Sequence, residues 1–196
     1  MRILFAAPDR DLSRCYGTLL AGPDRTVETA FDGVQVLRLL SEGDWDLLIL
    51  SRDIPRIDWR RIVEHCNREG PPVLLLSAET PDLRLLLDPV LANACLPLPF
   101  LPEELEAMLD RLLAALGSLA LIDLEGKAIP VSGFRLGKAP LALNEVEALE
   151  ALAAGRQPPD DRTALRSLNE KLAAQGFARR IRYRTKEGYR LVTEDE

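Results

Sequence analysis

The sequence predicts an α/β chain: a doubly wound parallel sheet of (βα)5 type, followed by a small α+β domain. Three observations carry that expectation. Apolar segments of strand length alternate with amphipathic helical stretches through the first 116 residues. Those strands are apolar on both faces, as strands of a sheet covered by helices on each side must be. After Gly117 the pattern changes to short strand-like pieces punctuated by Gly126, Gly133 and Gly137. A chain of 196 residues with 47% hydrophobic content can fill two cores. The boundary is placed to give domains 1–117 and 118–196.

The strands of the first domain are read, in order, as RILFAA (2–7), TVETA (26–30), DLLILS (46–51), PVLLLS (72–77) and ACLPL (94–98). Four helical stretches lie between them and a fifth follows. That last helix, over 101–116, carries Leu101, Leu105, Met108, Leu109, Leu112, Leu113 and Leu116 at helical spacing. Pro102 suits its first turn, and Glu103 and Glu104 complement its dipole. Its apolar stripe is wide enough for part of it to serve an interface.

The second domain opens with a meander, LALIDL (119–124), KAIPV (127–131) and FRLGKAPLAL (134–143). Asn144 is expected to cap a helix over Glu145 to Ala154, ended by Gly155. The polar GRQPPDDR then leads into a second helix from Arg162 to Gln175, and RRIRYRTKEGYRLV (179–192) reads as a hairpin turning at Lys186 to Gly188.

Composition narrows the function. No apolar run approaches the roughly 20 residues that cross a bilayer, and the N-terminus turns polar too soon for a signal peptide. A cytoplasmic protein with no membrane partner is expected. Cys15, Cys66 and Cys95 are widely spaced and lack any CxxC pairing, so they read as buried free thiols, not as a disulfide framework or zinc site. His65 stands alone and is given no catalytic role, and Trp45 and Trp59 read as packing. The net charge is -6, but it is uneven: residues 1–118 hold 12 basic and 19 acidic side chains, whereas residues 156–190 hold 10 basic and 4 acidic ones. An acidic half followed by a locally basic one suggests separate tasks.

The motifs MRILFAAPDRD, DWDLLILSRDIPRIDW, VLLLSAE and CLPLPFLPEEL, with Asp46, Pro55, Ser77-Ala78 and Pro99-Phe100 among their residues, resemble the receiver domain of two-component response regulators over residues 1–116. In layout the whole chain is similar to the OmpR/PhoB type, a receiver followed by a winged-helix DNA-binding domain. The resemblance implies a phosphoacceptor carboxylate at the tip of the third strand, a magnesium ion held by acids after the first strand, and a lysine after the fifth. This chain departs from that pattern at each charged position. The acid pair becomes Ala7-Pro8, the acceptor becomes Ser51 and the lysine becomes Leu98. The losses are coherent, because a lysine facing a pocket emptied of carboxylates would be an uncompensated charge. A makeshift metal site from Asp9 and Asp53 is the alternative to Asp9 opening the first helix and Asp53 serving its loop. The switch positions are Ser77 and, where an aromatic residue would fall, Cys95, read as buried or as redox-active. The expectation is a pseudo-receiver with no metal, no cofactor and no enzymatic activity, acting as a constitutive homodimer or partner-binding module. The face implied is the helix near Pro81 to Leu91, strand 94–98 and helix 101–116.

The same resemblance makes LALNEVEALEALAAG (141–155) the first helical segment, DRTALRSLNEKL (161–172) the recognition helix and IRYRTKEGYRL (181–191) the wing. Leu165, Leu168 and Leu172 would face the core, turning Arg162, Thr163, Arg166, Ser167 and Glu170 outward. A helix showing such side chains can enter a major groove, and Arg179, Arg180, Arg182, Arg184, Lys186 and Arg190 would add backbone contacts. One element is missing, since the family places a support helix where only GRQPPDDR stands. The expected partner is DNA, bound to regulate transcription. The alternative is a protein-interaction or scaffold module that has lost both phosphotransfer and specific DNA binding.

Overall fold

A computed structural model of the chain describes residues 1–78, 92–117, 120–124, 127–131, 134–136, 139–174, 180–184 and 188–192. It divides into two compact units, Met1–Asp110 and Arg111–Glu196. Among the described residues no helix is long and apolar enough to cross a membrane.

The first unit runs β1 (Arg2–Ala6), α1 (Arg10–Leu20), β2 (Thr26–Ala30), α2 (Gly33–Glu42), β3 (Leu47–Ser51), α3 (Trp59–Glu69), β4 (Val73–Ser77), β5 (Ala94–Pro97) and α4 (Pro102–Gly117), the last crossing into the second unit. The five strands form one parallel sheet ordered β2-β1-β3-β4-β5. Every residue of β3 and β4 is buried, which is why these segments are Leu, Ile and Val runs up to their terminal serines, Ser51 and Ser77. On one face Leu4, Leu48, Leu50 and Leu75 pack with Val36, Ile62 and Val63. On β1, Phe5 stacks on Tyr16, which in turn meets Phe100 at 5.1 Å.

Local signals set the helix starts. Asp9, Asp32 and Asp58 each accept backbone N–H groups at the entrances to α1, α2 and α3. Glu104 accepts from the Leu101 N–H at 2.8 Å at the start of α4. The wide stripe predicted for α4 resolves into buried Leu105, Leu109 and Leu112, half-buried Met108, Leu113 and Leu116, and exposed Leu101. The predicted stretch around Pro81 to Leu91 lies outside the described residues.

The second unit holds an antiparallel sheet of β6 (Ala120–Leu124), β7 (Lys127–Val131), β8 (Arg135–Leu136) and β9 (Ala139–Pro140), in that order. Helices α5 (Leu143–Ala153) and α6 (Arg162–Ala174) follow, then the antiparallel pair β10 (Arg180–Arg184) and β11 (Gly188–Val192).

The predicted cap of α5 is corrected: the helix begins two residues earlier, with Ala142 at the cap position and Asn144 already inside. Glu145 closes that end from within, its carboxylate accepting from the Ala142 N–H at 2.7 Å. Burial of Leu141 and Leu143 pulls the first turn into the core, so packing overrides the capping preference of Asn144. The Asn144 amide instead donates to Asp161 Oδ2 at 2.7 Å.

Candidate functional site

Two regions carry the residues singled out by the sequence. The first is the carboxyl edge of the parallel sheet, where ligands sit in open α/β folds. Ala7 follows β1 and is buried, its N–H donating to the Ala30 carbonyl at 3.1 Å, while Pro8 beside it is exposed. Ser51 ends β3 and is only 6% exposed. Its Oγ accepts from the Asp53 N–H at 3.3 Å and its carbonyl accepts from the Ile54 N–H at 3.2 Å. This tight turn lets Ile54 drop back into the core.

Ser77 ends β4 and is buried, and its carbonyl accepts from the Leu98 N–H at 2.7 Å. The half-buried Leu98 precedes a cis peptide to Pro99. Since β1, β3, β4 and β5 are neighbours in that order, Ala7, Ser51, Ser77 and Leu98 stand on one edge of the sheet. None of these four side chains carries a charge at neutral pH. A hydroxyl at the end of β3 can accept or donate a hydrogen bond, but it cannot neutralise a divalent cation.

Of the two nearby acids, Asp9 is engaged at the start of α1. Asp9 Oδ1 accepts from the N–H groups of Asp11 and Leu12 at 2.8 and 3.0 Å, and Asp53 is exposed in its loop. Among the described residues no group of three His, Cys, Asp or Glu side chains is placed to hold a metal ion. Cys95 on β5 is half-buried, and burial pushes its thiol above the ordinary value of 9.0 against the opposing charge of Arg52. A raised thiol is a poor nucleophile at neutral pH. Cys66 is buried but Cys15 is exposed, which corrects the expectation of three buried thiols. Position 15 lies on the solvent side of α1, whose apolar stripe passes elsewhere.

The second region is α6 with the β10–β11 hairpin. On α6, Ala164, Leu165, Leu168 and Leu172 are buried, while Arg162, Thr163, Arg166 and Glu170 are exposed. Ser167 departs from the expected outward face and is half-buried. Arg166 Nε lies 3.3 Å from Glu170 Oε1, a surface pair on the same face. In the hairpin, Arg182 pairs directly opposite Arg190, and both are exposed. Arg180 and Arg184 stand at the ends of β10. Arg179 and Lys186 lie outside the described residues.

Several contributors were not singled out from sequence. Tyr183 is 63% exposed and its ring meets Tyr189, its cross-strand partner, at 5.1 Å. Asn169, Lys171 and Glu145 form polar contacts around α6 that no motif announces.

An open parallel sheet ordered β2-β1-β3-β4-β5, with α1, α2 and α3 following β1, β2 and β3, is the receiver fold. Solved receivers agree with this chain. Chemotaxis response regulator CheY4 of Vibrio cholerae matches at TM-score 0.51 and 25% identity, over 56% of this chain and 96% of that one. The signal receiver domain of an HD domain-containing protein from Pseudomonas fluorescens Pf-5 matches at TM-score 0.52 and 24% identity, over 58% and 94%. The first unit has the receiver fold and is similar in sequence to response regulators.

Among curated relatives, response regulator MprA of Mycobacterium ulcerans (strain Agy99) is 32% identical over 116 residues, 58% of this chain and 50% of that protein. The transcriptional regulatory protein CpxR homolog of Haemophilus influenzae (strain ATCC 51907 / DSM 11121 / KW20 / Rd) is 30% identical over 114 residues, 57% and 50%. The chain thus spans about half the length of the curated relatives it matches. No protein-family model matches it.

Proposed function

We propose that this protein is a cytoplasmic transcriptional regulator of response-regulator type that binds DNA as a dimer and works without phosphoryl transfer. Its receiver-like domain, residues 1–117, would hold the dimer through the face that includes β5 and α4. Its winged-helix-like domain, residues 118–196, would hold the duplex. The observation that carries the DNA reading is one face of α6: Arg162, Thr163 and Arg166 are exposed on a helix whose opposite side is buried. Cationic and hydroxyl side chains on one side of a helix match base edges and phosphates of a major groove.

The hairpin supports the same reading. Arg182 and Arg190 stand directly opposite one another across the strand pair, and both are exposed. Two exposed cations on one strand pair can meet a phosphate backbone, and such contacts make binding steeply dependent on salt. The independence from phosphorylation is supported by Ala7, Ser51 and Leu98 at the sheet edge, where carboxylate, nucleophile and ammonium would have to stand.

A second reading is favoured by one observation. Between Gly155 and Asp161 the described chain forms no helix, so α6 lacks a support helix behind it. A scaffold that keeps the two-domain shape without reading an operator has no need of one. Selection from a pool of random duplexes at 50 mM salt separates the two. The DNA reading expects an enriched sequence whose binding weakens steeply as salt rises, and the scaffold reading expects none.

A further inference from the structure

With no helix between Gly155 and Asp161, what orients α6 is a set of directional polar contacts within the second unit. At its N-terminus, Asp161 Oδ1 accepts from the N–H groups of Thr163 and Ala164 at 3.1 and 3.0 Å, while Asn144 on α5 holds the other oxygen. Midway, Asn169 pairs with the backbone of Ile181 as a neighbouring strand would. Its Nδ2 donates to the Ile181 carbonyl at 3.0 Å, and its Oδ1 accepts from the Ile181 N–H at 2.7 Å. That pair ties the helix to the first strand of the hairpin.

In the third turn of α6, Lys171 Nζ donates to Glu145 Oε2 at 2.6 Å and to the Pro140 carbonyl at 2.7 Å. The Lys171 side chain is 11% exposed and that of Glu145 is fully buried. The same Glu145 oxygen accepts from the Ala142 N–H, so the carboxylate joins the start of α5 to α6, and Lys171 adds the end of β9. Although Lys171 belongs to the basic stretch of the sequence, its ammonium points inward and is engaged.

The apolar contacts cannot do this alone. Ala164, Leu165, Leu168 and Leu172 supply burial, which is non-directional and tolerates rotation of the helix about its axis. Hydrogen bonds to fixed backbone groups of β9 and β10 do not. Buried ion pairs add little stability over an apolar replacement, and their best-attested use is to specify one arrangement.

We propose that Asn169 and Lys171 are positioning residues that set the angle at which α6 presents Arg162, Thr163 and Arg166, in the role a support helix would otherwise fill. The inference rests on the reading of α6 as the DNA-contacting helix.

Three variants of the full chain test it: K171M, N169L and R166A, each measured against the duplex selected by the wild type across a salt series. K171M and N169L should lose about tenfold in affinity, the cost of roughly one base contact, with the salt slope unchanged. R166A should lower the slope by about one, as removal of a phosphate contact does. K171R, which keeps a donor, should recover most of the loss. If K171M lowers the slope instead, or binds like the wild type, the positioning role is overturned.

Hydrogen exchange without DNA separates this inference from the DNA reading. Backbone amides of α6 and of Ile181 should exchange faster in N169L and in E145Q/K171M, the double variant that avoids leaving Glu145 buried and alone. Unchanged exchange in both variants overturns the inference even where the wild type selects no duplex. Faster exchange in a protein that selects none leaves the positioning standing and removes the DNA reading.

Discussion

Arg111 grips Glu147 through both carboxylate oxygens, with Nε 3.0 Å from Oε1 and Nη2 2.9 Å from Oε2. Arg111 lies in α4, a helix that starts in the first unit, and Glu147 lies in α5 of the second. The hydrogen bonds that Arg111 donates to Glu147 raise the Arg111 pKa above its ordinary value. Both residues belong to the second unit, so the C-terminal half of α4, from Arg111 on, is tied to α5 within that unit.

A fragment cut at residue 118 loses that tie together with the buried Leu112 and Ala115. A fragment of residues 102–196 should unfold cooperatively and at a higher temperature than one of residues 118–196. The pair itself contributes little, since the Arg111 side chain is half exposed, and E147A should cost no more than about 1 kcal/mol. Thermal melts of the fragments and of E147A in the full chain check both expectations.

Restoring charge at the sheet edge should require every partner at once. S51D alone places an unpaired carboxylate at a site that is 6% exposed, and a loss of roughly 1–3 kcal/mol follows in denaturant melts at neutral pH. The wild type should show no mass shift with acetyl phosphate and no change in oligomeric state with beryllofluoride and magnesium. The variant A7D/P8D/S51D/L98K should bind magnesium by calorimetry where the wild type does not. A magnesium-dependent response of the wild type that is lost on changing Ser51 or Asp53 would overturn the phosphorylation-independent reading.

Thiol reactivity should rank by burial. Cys15 is exposed, Cys95 half-buried with a raised pKa, and Cys66 buried. At pH 8 iodoacetamide should label Cys15 first, as followed by peptide mass. A raised thiol pKa means that the folded state holds its proton longer than the unfolded chain does. The contribution of Cys95 to stability is therefore fully present below its unfolded value of 9.0 and is lost as pH rises through the folded value. In C95A the decline of stability above pH 9 should be shallower.

Gly188 opens β11 with φ at 75°, and a Cβ there would collide with Gln157 Oε1, the acceptor for the Tyr189 N–H at 2.9 Å. G188A should cost about 1–2 kcal/mol through strain at positive φ and displacement of that amide. The loss should appear as faster amide exchange across β10 and β11, with the first unit unaffected. The glycine of the GYRL ending is thus required by backbone conformation and close approach, whatever the hairpin binds.

How much was legible in the sequence varies with the kind of interaction. The strands of the first unit fall within a residue of their predicted limits because both faces of β3 and β4 are buried, and a run such as Leu47 to Leu50 has no other stable placement. The opening of α1 by Asp9 was equally legible, since a carboxylate reaches N–H groups two and three residues on and needs nothing distant. Asn144 misled for the opposite reason. Its capping preference is local, whereas the start of α5 is decided by burial of Leu141 and Leu143 and by Glu145.

The sequence by itself determined the layout of the first unit and the chemistry available at its sheet edge, because periodicity and residue type at a strand end are properties of neighbours along the chain. It also placed the buried stripe of α6. Only the tertiary structure decided which cations of the basic end face water. Lys171 and Arg166 lie five residues apart and look alike as letters, yet one reaches Glu145 and Pro140 inside the unit while the other is exposed. That difference arises from where β9 and α5 end in space, and hydrogen-bonding partners 26 and 31 residues away leave no periodic trace in the chain.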